Sequence, residues 1–159
     1  MKDKVLRISE RADARRPDRT SVTVYYNSLE RIAVADAVAT FDSTLVATVV
    51  ALTVGGLAQV TARMDGKDLK MELSGKSSAT LTGAVRYLSL FVSTGKVEAA
   101  GLETMAAEVN VTSSGTASLW VTDRFQGKTS TGGKITYKGV PPIVRGGSKF
   151  MGGDITRVE

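Results

Sequence analysis

The sequence predicts an all-β chain wound as a single-stranded parallel β-helix, a solenoid of about six to seven short coils, and three observations predict it. Glycine returns at a nearly fixed period: Gly56, Gly75, Gly95, Gly115, Gly133 and Gly153 are separated by 19, 20, 20, 18 and 20 positions. A short apolar alternation travels with it. The second residue after each glycine is small or apolar in Ala58, Val97, Ala117, Ile135 and Ile155, with Ser77 the polar member. The fourth is Val60, Ala79, Ala99, Leu119 and Tyr137, until Arg157 breaks the column. Finally, period-two alternation dominates and no stretch keeps helical periodicity for three turns. A unit of this length is too short for a strand, a full helix and two turns, but it holds two or three short strands joined by corners. Successive coils then bury an apolar side only against each other. The Leu-x-x-Leu-x-Leu-x-x-Asn pattern of leucine-rich repeats is absent and propeller blades are longer; a β-sandwich or barrel with glycine turns is the remaining alternative.

The elements follow in order. Residues 1 to 20 read as a charged N-terminal arm with a short strand at Val5-Leu6-Arg7-Ile8 and Pro17 near its end, and residues 21 to 159 as the repeat domain. Val22-Thr23-Val24-Tyr25-Tyr26 alternates, is β-branched and aromatic, and is expected to be an opening strand. Asn27-Ser28 turns the chain toward Leu29, Ile32 and Val34. One period before Gly56 lies Ala35 to Thr40, with Asp36 in the glycine slot. The segments 51–62, 69–81, 88–99 and 109–121 are the coils that follow, each an alternating run, a glycine corner and a second run. Glycine suits the corners because the chain there needs a positive φ or a close backbone approach.

Composition narrows the chemistry. Apolar residues make up 42% of the 159 and aromatic ones 6%, so the core relies on Val, Leu, Ile and Ala. The net charge is +5, but the first twenty residues hold seven basic against four acidic side chains, which leaves about +2 on the repeat body. That body is too weakly and diffusely basic for nucleic acid. With no cysteine and no histidine, disulfides, thiol chemistry, the commonest general base and the softest metal ligands are excluded. The longest apolar run, Leu45 to Val54, is too short to span a membrane. The N-terminus is charged from its second residue and shows no signal-peptide region, so the expectation is either an internal protein or one whose export signal has been removed.

The order of three elements carries a family resemblance: Val-Thr-Val-Tyr-Tyr-x-x-Leu-x-x-Ile-x-Val at 22 to 34, the recurring Ser-Gly or Thr-Gly corners, and Gly133-Lys134-Ile135-Thr136-Tyr137-Lys138-Gly139-Val140-Pro141. Over about residues 22 to 159 the chain resembles the putative auto-transporter adhesin, head GIN domain family of Bacteroidetes and related bacteria. The resemblance implies a right-handed β-helix, an extracytoplasmic location at the periplasm or cell surface, and no established catalytic or binding residues to carry over. The chain departs from the family pattern at Asp36-Ala37, Gly75-Lys76-Ser77-Ser78 and Gly146-Gly147-Ser148.

Several constellations invite chemistry. Ser93-Thr94-Gly95-Lys96 has the Ser-x-x-Lys spacing of penicillin-recognising enzymes, but the partner motifs are missing and it falls on a corner. Gly75-Lys76-Ser77 is similar to the end of a phosphate-binding loop without its opening glycine. Asp42, Asp65, Asp68 and Glu72 are the only acidic group worth testing as a glycosidase pair or a weak Ca²⁺ site, and Asp65-Gly66-Lys67-Asp68 reads more simply as a polar turn.

The candidate binding surface comes from stacking. Residues following the corner glycine are expected to form the column Leu57, Lys76, Lys96, Thr116, Lys134, Asp154, which puts Lys76 and Lys96 on neighbouring rungs, where an acidic glycan or a membrane-surface phosphate meets them. Trp120 is expected to point outward beside Ala100 and Lys138 as a stacking platform for sugar or protein. The expected function is a non-enzymatic extracytoplasmic binding module of the cell envelope that needs no cofactor, its partner a glycan or a surface protein. The alternative is a carbohydrate-active enzyme or carbohydrate-binding domain on the same scaffold. An uncapped last unit, Gly152 to Val158, or the Tyr25-Tyr26 region is expected to be covered by another copy in a homo-oligomer.

Overall fold

The computed structural model describes residues 4–10 and 20–159, so most of the charged arm lies outside the described residues. Ten strands follow in chain order: β1 (Arg31–Ala35), β2 (Val38–Thr40), β3 (Leu45–Gly55), β4 (Gln59–Leu73), β5 (Ser78–Val92), β6 (Lys96–Val111), β7 (Thr116–Ser130), β8 (Lys134–Lys138), β9 (Ile143–Phe150) and β10 (Asp154–Arg157). Every pairing is parallel. One sheet runs β1-β3-β4-β5-β6-β7-β8-β10, with β2 beside β4 and β9 beside β7. Paired residues lie 17 to 21 apart in sequence, which is a β-solenoid of about seven windings.

Strands of fifteen or sixteen residues, β4 to β7, take up most of a winding and therefore bend. In β5, Ala79, Leu81, Val85, Leu88, Leu90 and Val92 point inward, and the alternation breaks where Arg86 and Tyr87 are both exposed. Inward positions stack into columns such as Ile32–Leu52–Met71–Leu90–Val109, which fill a thin aliphatic interior. That column ends at Gly127, where an added Cβ would lie 2.7 Å from the Phe125 ring. Phe125 is the one large aromatic fully inside; Ala107 beneath it is small, and its ring stacks on Tyr137 at 4.3 Å.

Two expected strands do not form. Val5–Ile8 and Val22–Tyr26 carry no ladder, because the pairings of β1 and β2 lead only to β3 and β4 and no further strand lies beyond the first winding among the described residues. Val22, Val24 and Tyr25 stay exposed, while Tyr26 meets Phe41 edge-on at 6.3 Å and, with Leu29, packs against the first end of the core.

The corners stack as the period predicts, but through two columns rather than one. In the first, Gly75 lies on Gly56 and Gly56 on Asp36, whose φ of 51° and carboxylate fit the glycine slot: its Oδ1 accepts the Leu57 amide at 2.9 Å. In the second, carbonyls of Ala37, Ala58, Ser77, Gly95, Gly115 and Gly133 each accept an amide from the following winding. The 93–95 corner is one residue shorter than 74–77, and the glycine has moved within it, so Gly95 sits on Ser77. The last three corners are two-residue turns at Ser113-Ser114, Thr131-Gly132 and Met151-Gly152, all at positive φ and closed by hydrogen bonds from Gly115, Gly133 and Gly153 to Thr112, Ser130 and Phe150. Gly133 is required there for space: its Cβ would sit 2.4 Å from the Val111 carbonyl oxygen. Gly146-Gly147-Ser148 is not a corner but a bulge in β9, with Gly147 unmatched between Gly127↔Gly146 and Lys128↔Ser148.

Candidate binding surfaces

One side of the winding is a flat hydroxyl-lined face. Outward residues of β2, the first halves of β4 to β7, β8 and β10 align as Thr40–Thr61–Thr80–Glu98–Ser118–Thr136–Thr156. Parallel pairing spaces them about 4.8 Å apart. Thr136 Oγ1 donates to Ser118 Oγ at 3.1 Å, so the ladder is hydrogen-bonded to itself in part.

The neighbouring column is Val38–Gln59–Ser78–Lys96–Thr116–Lys134–Asp154. Lys96, Thr116, Lys134 and Asp154 stand where the repeat placed them; Leu57 and Lys76 do not. The two-residue shift of the glycine puts Lys76 in the corner before Ser78, so Lys76 and Lys96 are not rung neighbours. Lys96 instead pairs with Glu98 on its own strand at 3.8 Å, and Lys134 is two rungs away. At the far edge of the face, Lys138 Nζ lies 4.5 Å from the centroid of the half-exposed Trp120 ring, a cation–π contact between rung neighbours. The other neighbour of Trp120 is Glu103 and not Ala100, because the ladder skips between Ala99 and Glu103.

A second surface lies round the bend. An open groove of about 360 Å³ crosses six windings, between the columns Val49–Asp68–Tyr87–Ala106–Arg124 and Lys70–Ser89–Glu108–Gln126–Arg145. Its depth comes from Ala106, 7% exposed, set between Tyr87 at 52% and an exposed Arg124 on the adjacent rungs. Sequence reading missed it, since its lining is drawn from six separate coils.

Two of the remaining constellations sit at corners. Ser93-Thr94-Gly95-Lys96 spans the corner into β6, and Gly75-Lys76-Ser77 is a corner in which the Ser77 hydroxyl donates to the Ser74 carbonyl at 2.6 Å. Asp42, Asp65, Asp68 and Glu72 do not converge: among the described residues no three acidic side chains form a metal-holding group, and Glu72 pairs with Lys70 at 3.6 Å. No helix among the described residues is long and apolar enough to cross a membrane. In the two regions where a second copy is expected, Gly152 to Val158 and Tyr25-Tyr26, Val158 and Tyr25 are exposed, and Val144, Phe150 and Met151 are exposed just before the first of them.

Comparison with known proteins agrees with the fold. A family profile described as "Putative auto-transporter adhesin, head GIN domain" matches residues 1–141, a span that takes in the N-terminal arm and stops short of β9. No curated protein matches the chain. A crystal structure titled "Putative lipid binding protein" from Parabacteroides distasonis is similar at a TM-score of 0.58 and 19% identity, over 82% of this chain and 62% of that one. At that identity the likeness shows the fold, and the chain spans less than two thirds of that protein.

Proposed function

The chain belongs to the auto-transporter adhesin, head GIN domain family, and from that premise we propose that it is a non-enzymatic, extracytoplasmic binding module of the cell envelope, which engages a glycan or a protein of a cell surface. The observation that carries the reading is the outward column from Thr40 to Thr156, which bears a hydroxyl on every rung except that of Glu98. A flat, rigid row of hydroxyls at a fixed repeat favours many weak contacts to an extended partner over one tight contact to a small one. Trp120 with Lys138 supplies an aromatic anchor at its edge. The neighbour's lipid-binding title adds less to this reading, because the interior here is an aliphatic core packed by Leu52, Met71, Leu90 and their equivalents.

The test is retention of beads coated with the protein on a glycan array and on bacterial surfaces. The reading expects binding without turnover, weakened when Thr61, Thr80 and Thr136 are replaced together by glutamate. Retention unchanged in that variant, or absent for the unmodified protein, contradicts it. A carbohydrate-active enzyme is favoured by one observation, that Asp68 and Glu108 line the same groove. Turnover of a glycan abolished by Asp68→Asn or Glu108→Gln decides for that alternative. Self-association is read from the mass in solution at high concentration.

A further inference from the structure

We propose that the groove at the bend is a binding site for an acidic oligosaccharide, its carboxylate held by Arg124 and Arg145 and a neighbouring sugar ring seated over Ala106 against Tyr87. The assignment is independent of the hydroxyl face, which lies on another side of the winding.

Four features of the groove point to this ligand. The first is an unneutralised pair of guanidiniums: Arg124 and Arg145 stand on adjacent windings, diagonal to each other, and among the described residues neither forms an ion pair. A planar guanidinium presents parallel donors that match a carboxylate, and Gln126, the direct rung neighbour of Arg145, adds an amide beside them. The second is the shape. Tyr87 and Arg124 flank Ala106 one rung to each side, so the walls stand two rungs, about 10 Å, apart at their Cα atoms. The exposed phenol of Tyr87 offers the apolar face on which sugars stack.

The third is the pattern of charge. Along the groove, Asp68, Lys70, Glu108, Arg124 and Arg145 mix signs. A uniform polyanion such as a nucleic acid meets repulsion from Asp68 and Glu108. A chain whose carboxylates are separated by neutral, hydroxyl-bearing rings does not, because those two acids then accept hydrogen bonds from hydroxyls. The fourth is extent. A trough open to solvent along six windings suits a segment of a polymer, and 360 Å³ lies at the lower end of small-ligand sites.

The experiment titrates a hyaluronan tetrasaccharide, in which glucuronate alternates with N-acetylglucosamine, into the isotopically labelled protein at low salt and follows amide shifts. Neutral chitotetraose and phosphatidylglycerol vesicles are the comparison ligands. Saturable shifts confined to residues 87–89, 106–108, 124–126 and 145 are expected. The Arg124→Gln/Arg145→Gln variant should weaken binding at least tenfold and Tyr87→Ser severalfold, whereas Arg63→Gln and Arg157→Gln change nothing. All five positions are exposed, so circular dichroism should remain that of the unmodified protein. The proposal is overturned if chitotetraose binds equally well, if the arginine variant keeps its affinity, or if no shift saturates. It is also overturned, in favour of a lipid surface, if vesicles move these residues and the tetrasaccharide does not. The hydroxyl-face reading survives every one of these failures, since its test reads Thr61, Thr80 and Thr136.

Discussion

Replacing corner glycines by alanine separates the two physical costs of a stacked corner. Gly75 has φ of 71°, and a Cβ on it would lie 2.7 Å from the Gly56 carbonyl oxygen and 3.0 Å from the Gly56 nitrogen. Both contacts are with the backbone of the preceding winding, so no side chain can swing away. The left-handed conformation costs a non-glycine residue roughly 1–2 kcal/mol, and the forced separation of windings roughly 1–3 kcal/mol. Reduced freedom of the unfolded chain returns roughly 0.4–1 kcal/mol. The expected net loss for Gly75→Ala is about 3 kcal/mol, a fall in Tm of roughly 6–12 °C. Gly152 has φ of 82° but nothing within 4 Å of its Cβ position, so Gly152→Ala carries only the dihedral cost, roughly 1 kcal/mol net. Gly133 is outside the left-handed region yet only 2.4 Å from the Val111 oxygen, so Gly133→Ala carries only the contact. The assay is thermal unfolding followed by far-ultraviolet circular dichroism and by Trp120 fluorescence, which together detect segmental melting of a solenoid. Equal losses for Gly75→Ala and Gly152→Ala, or a neutral Gly133→Ala, refute the stacking argument.

Three further outcomes follow from single side chains. Thr129 Oγ1 is buried without a hydrogen-bond partner, so Thr129→Val should raise stability by about 1 kcal/mol, seen as a Tm increase of roughly 2–4 °C in calorimetry. Phe125→Ala removes the fully buried ring and its stack on Tyr137 and should cost roughly 3–5 kcal/mol, with loss of the near-ultraviolet aromatic signal. Asp36→Ala loses the hydrogen bond to the Leu57 amide while keeping a positive φ, and should cost roughly 1–2 kcal/mol in urea unfolding. Asp36→Asn should recover most of that, because asparagine tolerates the same φ and still accepts.

The period and the inward columns were legible because they depend on local alternation: Val97, Ala117, Ile135 and Ile155 stack in one column, as counted from their glycines. What counting could not show is where the count slips. Either Gly75 or Gly95 satisfies a corner, so the move of glycine by two places left no trace, and Lys76 was assigned to the wrong rung. The Trp120–Lys138 pair was visible because β7 and β8 align without interruption; Glu103 was not, because the ladder skips beside Ala99. A strand was expected at Val22–Tyr26 from propensity alone, yet a strand exists only where a neighbour accepts its hydrogen bonds. The groove is a sum over six windings, and its one sequence trace is the broken alternation at Arg86-Tyr87, Ala106-Ala107 and Asp123-Arg124, which marks a shared bend.

Register is the claim on which both surfaces depend, and a chain without cysteine allows it to be measured by cross-linking. Ser78 and Lys96 are rung partners, so their Cα atoms lie about 4.8 Å apart, within the span a disulfide bridges. Under mild oxidation the Ser78→Cys/Lys96→Cys variant should close an intramolecular disulfide quantitatively, while Lys76→Cys/Lys96→Cys remains reduced. Closure of the Lys76 pair in place of the Ser78 pair, or of neither, contradicts the winding order and the surfaces built on it.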